Sequence, residues 1–274
     1  LGRGVDQDLP ESVEWVKKAA EQDIPAAQNR LGVCYSDGIG MEADEVKAVG
    51  WFRKAAEQNL PAGRCNLGIR LRDGRGTGSE PKLALELLQQ AAEEGVMVAQ
   101  FAMAQMAATD EEGEPNETEA TQWYRKSAEQ GHIEAQYILG ERLVEGVGAP
   151  VDLVEALQWF ALAAERGSVP AQYSYGRHLL LGDGVAVNGR TAVHWLRLAA
   201  VAGHTEAQFL LGDAYDSGLV IQADPQEALK WFRKAADSGY GPAQWNLARH
   251  LQSGEGVNQD LSESVEWVKK AAEQ

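Results

Sequence analysis

The side chains with the greatest potential for chemistry in this sequence are its histidines and cysteines, which are His132, His178, His194, His204, His250, Cys34 and Cys65. A metal centre or a nucleophile-based hydrolase would need such groups close together, with carboxylates beside them. Two pairs of histidines are instead separated by 72 residues each. We therefore predict no enzyme activity, no metal and no cofactor, and expect the histidines at the surface or in a groove.

Glycine-rich segments such as "GEGVNQD", which begins at Gly254, offer a second kind of chemistry. Backbone N–H groups of a glycine-rich loop can hold a phosphate, but such a loop follows a strand and opens a helix. Here the preceding residues have helical periodicity, so the sequence favours a turn between two helices.

The elements around these residues repeat every 36 positions. One ladder consists of Trp15, Trp51, Trp123, Trp159, Trp195, Trp231 and Trp267, with Leu87 at the remaining step, and a parallel ladder of alanines runs from Ala20 to Ala272. A fixed period of this length is typical of repeat arrays. We predict a single array over residues 1–274, with a partial repeat at 1–22 and seven full repeats from 23 to 274.

Each repeat is predicted to contain two helices. Around Trp231, Asp224 is a good N-cap, Pro225 suits the first helical turn, and Gly239 ends the helix. A second helix begins near Pro242. The cap position reads Asp8, Asp44, Glu80, Asn116, Asp152, Asn188, Asp224 and Asp260 along the array. We expect each tryptophan to fill the gap beside small alanines, contributing about 2 to 4 kcal/mol per repeat by burial.

The recurring pairs Ala135-Gln136, Leu139-Gly140 and Ala163-Ala164 closely resemble those of the Sel1-like repeat family, relatives of the tetratricopeptide repeat. The resemblance covers essentially the whole chain. It implies an all-α fold, a right-handed α-α superhelix (solenoid) of helix-turn-helix units in which the first helices line a concave surface. It also implies a scaffold or adaptor for protein partners.

Composition narrows the possible partners. With 41 acidic against 25 basic residues the formal net charge is −16, which disfavours nucleic acid because phosphates need Lys and Arg. The apolar runs are too short for membrane insertion. Because the sequence starts on Leu1, we expect a fragment or a processed form, and both the cytoplasm and a periplasmic or secretory compartment stay open. The two cysteines are predicted to be buried thiols.

Two columns of residues form the candidate binding site in the concave groove. Five successive repeats carry an aromatic residue at one position, namely Phe101, Tyr137, Tyr173, Phe209 and Trp245. One helical turn later the residue type varies, and the last four members are Glu141, Arg177, Asp213 and Arg249. We predict that the rings anchor a protein or peptide segment and that the charges set its position. The alternative is that the rings only pack between repeats.

Two other functions stay open. Aromatic rings in a row also suit stacking on a cell-envelope carbohydrate or a peptidoglycan fragment. Head-to-tail self-association into a filament or ring is suggested by the ends, where 18 of the 22 residues of 1–22 recur at 253–274. This second alternative expects exposed apolar faces at Leu9, Val13 and Val16, and at Val265, Val268 and Ala272.

Overall fold

The computed structural model describes residues 9–109 and 115–273, and every regular element among them is an α-helix. The chain divides into two compact units, residues 1–132 and 133–274. The first contains α1 (Leu9–Ala20), α2 (Pro25–Asp37), α3 (Glu45–Glu57), α4 (Pro61–Asp73), α5 (Pro81–Glu93), α6 (Met97–Ala108) and α7 (Glu117–Glu129). The second contains α8 (Ile133–Glu145), α9 (Leu153–Glu165), α10 (Val169–Leu181), α11 (Gly189–Val201), α12 (Thr205–Ser217), α13 (Pro225–Asp237), α14 (Gly241–Ser253) and α15 (Leu261–Ala272). Within each unit, helices that follow one another along the chain pack together, as the predicted repeat array requires.

The predicted start signals are confirmed in most repeats. The odd-numbered helices, which hold the tryptophan ladder, begin after residues whose side chains accept a hydrogen bond from the first helical turn: Asp44, Asn116, Asp152, Asn188, Asp224 and Asp260. Glu80 makes no such bond, and the helix after it begins with Pro81, a residue that suits the first helical position. Asp8 lies outside the described residues. The chain thus encodes its helix boundaries locally.

The turns also follow the predicted glycines. Gly239 and its equivalents adopt a positive φ just after the odd-numbered helices, a conformation that glycine reaches without strain. Asp23 and Asn59 occupy the same position with φ of 55° and 62°. Asn and Asp tolerate this region better than other non-glycine residues, so these two substitutions keep the turn.

The prediction that each tryptophan fills the gap beside the alanines is wrong for most repeats. Trp231 and Trp267 are buried, but Trp51, Trp123, Trp159 and Trp195 are only partly buried, and Trp15 is 62% exposed. The fully enclosed ring is the next residue, as with Phe52, Phe160 and Phe232. The two neighbours point about 100° apart on a helix, and only the second faces the glycine of the preceding even-numbered helix.

The tryptophans instead pack at the joint between one repeat and the next. Trp51 lies against the cluster around Leu31, and Trp231 against the cluster around Leu211. A lysine three residues later covers most of these rings; Lys234 Nζ, for example, is 4.1 Å from the centre of the Trp231 ring. Such contacts add a cation–π attraction to the packing of the ring.

Both cysteines are free and buried, as predicted. Burial raises the pKa of Cys65 to about 11, so its thiol stays protonated at neutral pH. The pKa of Cys34 is shifted in the same direction, again chiefly by burial. Reactive cysteines have lowered pKa values and are accessible to solvent. Cys34 and Cys65 have neither property.

Candidate functional site

The aromatic column lies on the even-numbered helices α6, α8, α10, α12 and α14, and most of its rings pack against the next repeat. Phe101 stacks on His132 with ring centres 4.3 Å apart, and Tyr173 stacks on His204 at the same distance. Phe209 meets Tyr240 at 5.2 Å. Each partner is the residue just before the following even-numbered helix, so these rings tie adjacent repeats together.

The five rings differ in how much surface they offer. Phe101 is 8% exposed and also contacts Tyr124, so its ring serves packing in the first unit. Tyr137, Tyr173 and Phe209 are partly buried. Trp245 is 58% exposed beside a recess of about 540 Å³ lined by Gly241, Pro242, Val268, Ala271 and Ala272. Trp245 is therefore the member of the column best placed to contact another molecule.

The variable column lies one turn beyond the rings on the same helices, so each charge shares a face with its aromatic neighbour. Glu141 on α8 accepts a hydrogen bond of 3.0 Å from Ser174 Oγ on α10. Desolvation raises the pKa of Glu141, and nearby Glu145 adds to the shift, while the Ser174 hydrogen bond opposes it. Ser174 thus joins two neighbouring even-numbered helices and holds the carboxylate in place.

A second contact joins α12 and α14. Arg249, the last member of the charged column, donates to Asp216 Oδ2. Asp216 Oδ1 lies 3.0 Å from His250 Nε2. His250 Nδ1 lies 3.0 Å from the carbonyl oxygen of Glu255, and since a carbonyl only accepts, this nitrogen donates. The result is a polar cluster that fixes the Arg249 side chain.

This cluster is also the best candidate for a cation. Asp216, His250 and Glu255 each place a ligand atom within 4.8 Å of the others. However, the Arg249 guanidinium already shares the Asp216 carboxylate and lies 3.3 Å from His250 Nε2. A bound metal would have to displace this arginine. The geometry therefore fits a hydrogen-bond cluster, in which Arg249 neutralises the Asp216 carboxylate, better than a metal centre.

The surface positions expected for the histidines are wrong for two of them. His250 is fully enclosed and His178 is 6% exposed, each beside the core ring of its repeat, Phe232 and Phe160 respectively. Periodicity alone did not reveal this because histidine occurs at this position in only two repeats. His194 is exposed, and His132 and His204 are the partly buried stacking partners already described.

Arg177 and Asp213 are different from the other charges of the column. Both reach the surface, and neither forms an ion pair within the described parts of the chain. Desolvation raises the pKa of Asp213, Asp216 raises it further, and Arg249 lowers it. The two helices that carry Arg177 and Asp213, α10 and α12, are in direct contact.

Sequence reasoning missed the buried glutamines of the even-numbered helices. Gln100, Gln172, Gln208 and Gln244 donate from Nε2 to the carbonyl oxygen eight residues earlier, at 3.1 to 3.3 Å. Those carbonyls belong to the last turn of an odd-numbered helix, where intrahelical partners are lacking. The recurring Ala-Gln pair is the feature of the sequence that could have revealed these bonds. The physical role of its glutamine is to join the two helices.

Among the described helices, none has the length and apolar character that crossing a bilayer demands.

No curated protein matches this sequence at a significant level. The structure is similar to the crystal structure of a protective antigen present in uropathogenic Escherichia coli strains and displaying an SLR fold, with 32% identity and a TM-score of 0.72 over 100% of this chain. This chain spans 66% of that protein's length, which is slightly under two thirds.

A Sel1 repeat protein from Oxalobacter formigenes is also similar, at 33% identity and a TM-score of 0.65 over 96% of this chain and 76% of that one. The family model described as "Sel1 repeat" matches residues 1–24, 25–60, 61–96, 98–132, 133–168, 169–204, 205–240 and 241–274. The period and paired helices predicted from the sequence agree with these matches. The chain belongs to the Sel1 repeat family.

Proposed function

We propose that the second unit is a protein-interaction scaffold that binds an extended segment of a partner protein. The binding site is the surface of α8, α10, α12 and α14, which we call the even-helix surface; it consists of Tyr137, Glu141, Tyr173, Arg177, Phe209, Asp213, Trp245 and Arg249. Repeat proteins use such continuous surfaces for binding because neighbouring units present equivalent positions side by side.

One observation supports this proposal most strongly. The even-helix surface combines a largely exposed indole, Trp245, with two exposed charges, Arg177 and Asp213, that form no salt bridge among the residues the structure describes. Tryptophan and arginine are the residues most often found at binding hot spots. The half-buried rings of Tyr173 and Phe209 lie one helical turn before Arg177 and Asp213 respectively. A bound chain would lie on these two rings. The proposal excludes Phe101 from the surface, since its ring is buried in the first unit.

Selection of peptides from a displayed fragment library on the purified protein tests this function. The selected peptides should lose at least about ten-fold in affinity when Trp245 and Arg177 are both replaced by alanine, because each replacement removes a contact of hot-spot type. A matched control replaces Val154 and Arg190, two exposed residues of α9 and α11, by alanine. Equal losses in both variants, or no loss in either, would refute the proposal.

The carbohydrate alternative receives less support from the geometry. Stacking on a chain of sugars would need several open ring faces, but Tyr173 and Phe209 are only partly exposed, and each of them already contacts another ring, His204 and Tyr240 respectively. Trp245 alone of the five rings is more than half exposed. Titration with peptidoglycan fragments, followed by tryptophan fluorescence, tests this alternative: a saturable change that is lost in Trp245→Ala would support it, and no change in the wild type would refute it.

Self-association is a second candidate, supported by a comparison of α1 and α15. Val13 and Ala20 of α1 are buried against α2, whereas Val265 and Ala272, the same positions of α15, are exposed. The expected exposure of Val13 is therefore wrong, and that of Val265 is confirmed. A second copy would cover the face of α15. We expect Ala272→Glu to abolish association in sedimentation experiments; a monomer at all concentrations would contradict self-association.

A further inference from the structure

Charged residues on the even-numbered helices differ in whether a neighbouring side chain holds them. Arg70 on α4 is paired with Glu45 at 3.1 Å, Glu141 is held by Ser174, and Arg249 is held by Asp216. These three are engaged by neighbouring side chains. Arg177 and Asp213 are exposed and lie beyond salt-bridge distance of any opposite charge among the described residues, although Glu141 attracts Arg177 and Arg249 attracts Asp213 over a longer distance. An ion pair from a bound chain would therefore not have to break a direct salt bridge at either position.

Resting on the function proposed above, we infer that the partner segment carries one acidic residue that pairs with Arg177 and one basic residue that pairs with Asp213. Arginine presents a planar fork of donors that suits a carboxylate, and the Asp213 carboxylate accepts from lysine or arginine. The partner is thus a segment with both signs of charge, despite the net charge of −16 that would by itself attract a purely basic one.

The spacing of the two charges in the partner follows from the repeat. Arg177 and Asp213 are 36 residues apart and occupy equivalent positions, so they are separated by one repeat step. The helices that carry them are in contact, and packed helix axes lie about 8 to 10 Å apart. An extended chain advances about 3.3 Å per residue. The acidic and basic residues of the partner are therefore about three positions apart.

The residues between these two charges also have a predicted character. Tyr173 lies one turn before Arg177 and is stacked on His204, while Phe209 lies one turn before Asp213 and contacts Tyr240. A bound segment that runs from Arg177 to Asp213 passes over the rings of Tyr173 and Phe209. The intervening positions of the partner should be apolar, because apolar side chains gain most from covering partly exposed rings.

The test uses a peptide obtained from the display selection and four derivatives of it. The derivatives carry Glu and Lys, Lys and Glu, two Glu, or two Lys at the pair of positions three residues apart, and their affinities are measured by fluorescence anisotropy. We expect one of the mixed peptides to bind most tightly, with a preference of about two- to five-fold for each correct pair, the usual range for exposed ion pairs. The preferred order gives the direction of the bound chain.

Charge reversals in the protein provide the decisive comparison. Arg177→Glu should shift the preference to the peptide with two lysines, and Asp213→Lys to the one with two glutamates. The double variant should prefer the mixed peptide of opposite order. Arg190→Glu and Glu165→Lys alter the net charge by the same amounts at exposed positions on α11 and α9, and they should leave the wild-type preference unchanged.

The possible failures are distinguishable. If no selected peptide loses affinity on replacement of Trp245 and Arg177, the proposed function itself fails. If the peptides bind at the even-helix surface but tolerate every charge pattern equally, the charge inference is overturned while the proposed function stands. The charge inference is also overturned if the control reversals shift the preference as much as Arg177→Glu and Asp213→Lys do.

Discussion

The ring of Phe160 lies directly against the backbone of Gly140. A β-carbon built on Gly140 would be 2.5 Å from Cε1 of Phe160, which is closer than real side-chain contacts allow. The same relationship joins Gly32 to Phe52 and Gly212 to Phe232. The glycine of the recurring Leu-Gly pair therefore exists to let an even-numbered helix approach the enclosed ring of the following odd-numbered helix.

Gly140→Ala should consequently destabilise the second unit by about 1 to 3 kcal/mol, the usual cost of overpacking a dense core. Gly50 provides a control within a helix, since a β-carbon there meets nothing within 4 Å. Gly50→Ala should stabilise the protein by about 0.5 to 1 kcal/mol through helix propensity. Urea unfolding of the two variants checks both signs, and a stabilised Gly140→Ala variant would contradict the packing argument.

The enclosed phenylalanines should matter more than the tryptophans beside them. Phe160→Ala removes a fully buried ring and should cost about 3 to 5 kcal/mol. Trp159→Ala should cost clearly less, since Trp159 is only partly buried and its Nε1 donates to Glu155 at the surface. Thermal unfolding of the two variants compares them directly. A larger loss of stability for Trp159→Ala than for Phe160→Ala would contradict the conclusion that Phe160 is the main packing ring of its repeat.

Much of the fold could be predicted from the sequence because its determinants are local. Asp224 before Pro225 and Gly239 after the helix specify a start and a stop within a few residues. The choice between Trp159 and Phe160 as the enclosed core ring could not be made in this way. Both belong to one broad apolar face, and only the position of the neighbouring helix decides which of them is enclosed.

The candidate site was predictable to a smaller extent. The period places the aromatic column at equivalent positions of successive helices, but the stacking of Tyr173 on His204 involves a residue 31 positions away in a turn. Likewise, Asp216 has no equivalent in the other repeats, so no period revealed that it holds Arg249. Contacts that occur once in an array leave no periodic signal.

Glu141 should make the stability of the second unit depend on pH. Its pKa is raised in the folded protein, so the carboxyl contributes stability below its unfolded pKa that is lost as the pH rises through the folded value. Glu141→Gln keeps an acceptor for Ser174 but cannot ionise. The advantage of this variant over the wild type should therefore be larger at pH 7 than at pH 4, as measured by thermal unfolding.

The wild type and Glu141→Gln are compared in the same buffers at both pH values. An advantage of Glu141→Gln that is equal at pH 4 and pH 7 would contradict the role assigned to the burial of Glu141.

The cluster around Asp216 should stabilise the contact between α12 and α14. Asp216→Ala removes the carboxylate that accepts from the Arg249 guanidinium and lies beside the fully buried ring of His250, at a cost of about 1 to 3 kcal/mol. Asp183 is the matched control, since it lies 4.0 Å from His178, the equivalent of His250 two repeats earlier. Asp183→Ala should be nearly neutral in urea unfolding, and equal losses would contradict the assignment.

The most direct test of the binding surface is photo-crosslinking of a selected peptide to the unaltered protein. A photoreactive residue is placed between the two charged positions of the peptide, and the attachment sites are mapped by mass spectrometry. We predict attachment on the even-numbered helices of the second unit, around Tyr173 and Phe209. Attachment mainly on α9, α11 or α13, around residues such as Trp159 or Leu198, would contradict the proposed site.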